Sequence, residues 1–232
     1  MIIGNGLLAR SFTADRLAEL NATVFASGVS NSSETDPAAF EREARLLVKA
    51  LDEARGRFVY FSTCSVTDPD RAETHYVRHK LRMERLIAER DEYLILRLPQ
   101  VVGRTDNPHT LSNYLASGIR NAEPLRIWVK AVRCLIDVED VARVTLHLVE
   151  RRLETNAVLD LAPPENVTLL ELVSMLEATL GKKATIDFVD RGGGAMPDPA
   201  PFVRYATAIG IDSSPGYIAR LIRKYYGTSD AT

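Results

Sequence analysis

Short apolar runs alternate with helically patterned stretches through the first hundred residues. "MIIGNGLLARSF" is a short apolar strand, a glycine turn and the start of a helix. "NATVFASGVSNS" holds a β-prone run, Thr23 to Ala26, that ends in small polar residues. A helix then opens with Asp36 as N-cap and Pro37 in its first turn, and Gly56 stands just past its end. Phe40, Ala44, Leu47, Val48 and Leu51 fall on one face of it. "RFVYFSTCSV" is apolar almost throughout, as expected of a strand covered on both faces of a parallel sheet. "THYVRHKLRMERLI" is the next helix, and "YLILRLPQVVG" the next strand. This alternation predicts an α/β parallel sheet.

Beyond Gly103 the pattern loosens. The stretch up to Glu150 reads as a helix, a short strand and a helix from Val138 to Glu150. "NAVLDLA" is a strand, and "TLLELVSMLEATLG" is a helix that opens on a Thr168/Glu171 capping box and closes on Gly181. "ATIDFVD" is strand-like, "RGGGAMPDPAP" a loop, and "PGYIARLIRKYYG" a terminal helix. The Gly/Pro-rich stretch 191–201 is the best linker, though too short to part independent domains.

Composition narrows the options. With 232 residues, 46% hydrophobic and 26% charged, the chain can bury a full core. A formal charge of −2 with scattered arginines marks no nucleic-acid surface. No stretch is apolar enough to span a bilayer, and a strand at Met1 predicts no leader segment. Two cysteines, Cys64 and Cys134, without a CxxC pair or a histidine cluster, predict neither a disulfide framework nor a metal site, and a cytoplasmic setting.

Three features could carry chemistry. Gly4-Asn5-Gly6-Leu7-Leu8-Ala9 is a G-x-G-x-x-A turn between strand and helix, where small residues let the backbone approach a pyrophosphate. The alternative is a plain structural turn. Thr63 ends a central strand, on the side where open α/β sheets bind ligands. It could equally be a strand-end cap, a role open also to Ser62 or Ser65. Tyr76 and Lys80 lie four residues apart, on one helical face. A nearby ammonium would lower the phenol's pKa from its usual value of about 10 and suit it to general acid/base work. Spacing alone equally fits an exposed pair.

Taken together, these motifs resemble those of the extended short-chain dehydrogenase/reductases that modify nucleotide sugars. "FVYFSTCSV" is similar to that family's strand with the catalytic Ser/Thr, "YVRHKLRMERLI" to its Tyr-x-x-x-Lys helix, and "LILRLPQVVG" to the strand that follows. "RCLIDVEDVA" resembles its Arg-Asp-Phe-Ile-x-Val-Asp-Asp-Val-Ala segment, and "NAVLDLAPPENVTLLELVSMLEATLGKK" its sugar-nucleotide lobe. The resemblance implies a Rossmann-like doubly wound parallel sheet with a small C-terminal α/β substrate lobe, divided as 1–150 and 151–232 and interleaved. It implies NAD or NADP as cofactor, with Thr63, Tyr76 and Lys80 catalytic. Cofactor contacts would come from Gly4, Asn5, Gly6, Leu7, Leu8, Ala9, Ser27, Gly28, Tyr76, Lys80, Pro99 and Val101. Arg133 would hold the substrate diphosphate, with Gln100 and Asn113 as further substrate contacts. The implied activity is that of a nucleotide-sugar 4-ketoreductase or an epimerase acting through a keto intermediate, in polysaccharide biosynthesis. The resemblance leans towards the dTDP-4-dehydrorhamnose reductases and related nucleotide-sugar epimerases. Cys64 and Ser65 stand where 4,6-dehydratases place an acidic pair, which argues against a dehydratase. Related enzymes dimerise through the helix 36–55 and the Tyr-Lys helix, so a homodimer is expected.

The chain also departs from that pattern. "VFASGVSNS" resembles the family's fourth strand, so the usual second and third strands are missing, and with them the residue that reads the adenosine ribose. NAD and NADP are therefore not told apart, although Arg10 leans towards NADP. A right-handed crossover between the first two strands would move the first helix to the other face of the sheet. The short interval from Thr63 to Tyr76 suggests an open cleft, or one closed by a partner subunit. Two rival readings are a degenerate, non-catalytic nucleotide-binding member and a reductase of small carbonyl compounds.

Overall fold

The computed structural model describes residues 1–29 and 31–227. Its main sheet has five parallel strands in the order β1-β2-β3-β4-β8: β1 (Ile2–Ile3), β2 (Ala22–Phe25), β3 (Arg57–Thr63), β4 (Tyr93–Leu98) and β8 (Ala157–Asp160). β1 forms one edge directly beside β2, as expected of a sheet lacking two outer strands. Every residue of β3 is buried, in keeping with its continuous apolar run.

Alternate residues of β3 feed two cores. Phe58 and Tyr60 pack under α2 (Pro37–Glu53) and α3 (His75–Ala88). Val59 and Phe61 face α1 (Ala14–Glu19) and α5 (Val138–Glu150), joined there by Phe202 and Tyr205 of α7 (Ala200–Ala208). α1 thus lies on the face opposite α2 and α3, so the β1–α1–β2 crossover has the opposite hand to β2–α2–β3. One of the two therefore departs from the right-handed rule for parallel strands, a point the sequence left open. The cause is packing: Phe12 and Leu17 bury with α5, while α2 and α3 already cover the other face.

A second layer of small sheets forms the remaining lobe. β5 (Gln100–Val102), β7 (Val132–Asp137) and β9 (Asn166–Thr168) make one sheet, and β6 (Pro124–Trp128) pairs with β10 (Thr185–Val189) in the other. Their core is closed by α4 (Leu111–Asn121), α6 (Leu169–Leu180) and α8 (Tyr217–Tyr226). Residues of the first 150 build much of this lobe, while β8 and α7 return to the main sheet.

Local signals formed as read at both well-marked helices. The Asp36 carboxylate accepts from Ala38 N at 2.9 Å, and Thr168 and Glu171 form a reciprocal capping box. Several elements differ. Pro99 has no N–H to give a ladder, so the run after Leu98 leaves the main sheet and pairs with β7. The first helix is a 3₁₀ turn, Ala9–Ser11, followed by a six-residue helix. Val48 is exposed, lying off the buried stripe of α2. β9 and α7 have no counterpart among the elements read from sequence.

Candidate active site

The C-terminal ends of β1 to β4 open onto one cavity of about 880 Å³. Gly4 is required at the β1 end: its φ is +125°, and a Cβ there would sit 2.4 Å from the carbonyl oxygen of Ala26. Gly6 is different, because a Cβ on it would meet nothing within 4 Å. Its bare backbone faces the cavity. The N–H groups of Leu7 and Leu8 have no partner among the described residues, and these donors suit a phosphate.

Thr63 ends β3 and is 8% exposed. Its Oγ1 accepts from Ser65 N at 3.1 Å, capping the 3₁₀ turn that follows and leaving the hydroxyl proton free to donate. The cap and the cavity position therefore coexist in one residue. Ser62 instead donates to the buried Glu84 at 2.5 Å, and Glu84 is also gripped by Arg97 at 2.7 and 3.0 Å.

α3 carries Tyr76 and Lys80 inward, 9% and 5% exposed. Thr74 fixes the start of this helix by accepting from Val77 N. An exposed surface pair is thereby ruled out. The Lys80 ammonium lies 5.9 Å from the centre of the Tyr76 ring and donates to Glu43 at 3.0 Å and to the Tyr60 hydroxyl at 3.1 Å. Burial alone would lower the Lys80 pKa, but the surrounding Tyr60, Tyr76 and Glu43 raise it, so the group stays cationic.

Most sequence-expected positions meet on this wall: Asn5, Gly6, Leu7, Leu8, Ser27, Gly28, Thr63, Tyr76, Lys80, Pro99, Gln100, Val101 and Arg133. Gly4 and Ala9 lie behind the turn. Asn113 does not reach the cavity. Its amide donates to the carbonyls of Thr105 and Asn107 at 2.9 and 2.8 Å, and its Oδ1 accepts from Tyr226 at 2.6 Å, so it shapes the loop that does. Arg133 donates to the carbonyls of Val132 and Gly193 at 2.7 and 2.9 Å. Burial and the neighbouring Arg71 depress its pKa, and Asp68 opposes them. Arg71 and Asp68 also line the cavity and were missed in the sequence, as was the part played by the 191–201 stretch, whose Ala195 and Pro197 complete the wall. No group of three or more His, Cys, Asp or Glu side chains suited to a metal occurs among the described residues. Cys64 and Cys134 are free, buried thiols, and burial pushes both pKa values up, Cys134 to about 12.

Residues 7–159 match the sequence model of the NAD dependent epimerase/dehydratase family. The chain belongs to that family. No curated protein matches this family member in sequence. Among solved structures it is similar to MoeE5 in complex with UDP-glucuronic acid and NAD, at 20% identity and TM-score 0.71, covering 96% of this chain and 81% of that one. UDP-glucuronic acid 4-epimerase from Bacillus cereus, in complex with UDP-glucuronic acid and NAD, aligns over 96% and 79% at 18% identity and TM-score 0.68. RMD from Pseudomonas aeruginosa, complexed with NADPH, aligns over 88% and 79% at 20% identity and TM-score 0.64. At these identities the likeness establishes the fold. No helix among the described residues of this epimerase/dehydratase family member is long and apolar enough to cross a membrane.

Proposed function

We propose that this chain is an NAD(P)-dependent nucleotide-sugar oxidoreductase of the cytoplasm, a 4-ketoreductase or an epimerase acting through a keto intermediate. The observation that carries this reading is the convergence of the bare Gly6 turn, Thr63, Tyr76 and Lys80 on one cavity. A nicotinamide dinucleotide would be held by the Gly6 turn, Tyr76 and Lys80, and would supply hydride exchange at a sugar carbon. Tyr76 moves the proton of the corresponding hydroxyl, and Thr63 donates a hydrogen bond to the same oxygen. Lys80, held beside the Tyr76 ring by Glu43 and Tyr60, offers its remaining N–H to the cofactor ribose. Arg133 faces the substrate diphosphate, with Arg71 adding charge, and the lobe built from α4, α6 and α8 encloses the nucleotide.

A thermal-shift screen crossing nicotinamide dinucleotides with UDP and dTDP tests this. Each class should raise Tm on its own, and a ligand at a hundred times its Kd adds about 2.7 kcal/mol. No shift with either dinucleotide at millimolar concentration would favour a degenerate binding member, a reading that the open β1 edge supports. A dinucleotide shift with none from UDP or dTDP would favour a reductase of small carbonyl compounds.

Cofactor choice follows from the same wall. Arg10 lines it beside the glycine turn, with Nε 3.0 Å from the carbonyl oxygen of Asn5. The carboxylates on it, Asp68 and Asp106, belong to loops after β3 and β5. A cation without a competing carboxylate suits a 2′-phosphate. NADPH should therefore bind about tenfold more tightly than NADH, and Arg10→Ala should erase the difference. Equal affinities in the wild-type protein would refute this. The exposed Leu46 and Val48 on α2 support a homodimer through α2 and α3, which light scattering tests.

A further inference from the structure

Behind the cavity wall sits a carboxylate that the mechanism above does not use. Glu43 of α2 is 4% exposed and does not itself line the cavity. Its Oε1 accepts from Lys80 Nζ at 3.0 Å and from the Tyr60 hydroxyl at 3.1 Å. Its Oε2 accepts from the backbone N–H of Val29 at 2.8 Å, and His79 Nε2 lies 3.0 Å away without hydrogen-bond alignment. The turn after β2 packs directly onto it: a Cβ on Gly28 would fall 2.6 Å from Oε1. One side chain thus ties α2, α3, β3 and the loop after β2 together.

A buried ion pair is a poor way to gain stability, since well-packed apolar residues commonly do as well or better. What distinguishes this one is where its partners lie. Lys80, Gly28 and Val29 all stand on the cavity wall, and Glu43 holds them from behind. An ammonium has three donors. Two of Lys80's are occupied by Glu43 and Tyr60, which fixes the nitrogen and leaves the third for the cavity.

We propose that Glu43 is a positioning residue. It locks the Lys80 ammonium and the Gly28–Val29 turn to each other, so that both meet the nicotinamide-side ribose as one preformed surface. This rests on the dinucleotide-binding reading given above. Ordering that surface before the ligand arrives removes a cost from binding.

The test compares the wild-type full chain with Glu43→Leu and Glu43→Gln, using NADPH and NADH followed by nicotinamide fluorescence and ADP followed by calorimetry. Glu43→Leu should weaken the better-bound dinucleotide about tenfold or more while changing ADP affinity by less than about threefold. Glu43→Gln keeps an acceptor oxygen for Lys80 and should recover part of the loss, and it serves alone where the leucine variant does not fold. Equal weakening of ADP and dinucleotide would mark a merely structural residue and overturn the proposal. So would variants that bind the dinucleotide as the wild type does. If the wild-type chain binds neither dinucleotide, the cofactor reading fails and this proposal fails with it. If the wild type binds and the variants are indifferent, only the role of Glu43 is lost.

Discussion

Tyr76→Phe should reduce turnover of a keto-sugar nucleotide by about two to four orders of magnitude while leaving the fold intact. The substitution removes one oxygen and keeps the ring that fills the space beside Lys80. No hydrogen bond to that oxygen occurs among the described residues, so its loss orphans no buried partner. Tm should shift by no more than a degree or two, and dinucleotide affinity by less than about threefold. The rate loss is the usual contribution of a positioned general acid or base. The decisive measurement is the initial rate of nicotinamide absorbance change with a nucleotide-linked keto sugar, chosen by the thermal-shift screen. A variant that matched the wild-type rate would remove Tyr76 from the chemistry. Thr63→Val, by contrast, deletes a cap as well as a substrate contact, so its effects on Tm and rate are mixed.

The residues that meet on the cavity wall were legible as candidates because each is marked locally. The glycine turn follows a strand, Thr63 ends an apolar run, and the Tyr76/Lys80 spacing is one helical turn. Glu43 was not singled out, because its neighbours Glu41, Arg42 and Arg45 give the helix the look of a solvated face. A signal existed all the same: Glu43 shares the buried stripe of Phe40, Ala44 and Leu47. An acid inside an apolar stripe is a request for a partner. Asn113 shows the converse error. A polar residue near the expected substrate site was assigned to the ligand, but its amide is consumed by loop carbonyls that lie close in sequence. The hand of the β1–α1–β2 crossover had no local signal. It depends on which face still has apolar surface to cover, and that is set by α5, more than a hundred residues further along. α7 was hidden for a simpler reason: the Gly/Pro-rich stretch before it suggested that the loop continued.

Lys80→Met should cost about 3–5 kcal/mol of folding stability at neutral pH, the usual penalty for stripping a buried charge of its partner. That is a large share of the roughly 5–15 kcal/mol available to a domain. The sign of its pH dependence follows from Glu43. Burial by itself would raise the carboxyl's pKa, but His79, Lys80 and the Val29 N–H overcome this and hold it at about 2. In the wild type, the resulting stabilisation is therefore present above the unfolded value of about 4.3 and is lost as pH falls from there through about 2. Removing Lys80 deletes both its Coulombic attraction and its hydrogen bond, so burial gains weight and the carboxyl takes up a proton more readily. The stability gap between variant and wild type should accordingly be widest near pH 7 and narrow towards pH 5, as read by urea denaturation at the two values. Adding Glu43→Leu to Lys80→Met should recover much of the loss, because the uncompensated charge is then gone. A single variant within about 1 kcal/mol of wild type, or a double variant no more stable than the single, would show that the pair is not coupled as its geometry indicates.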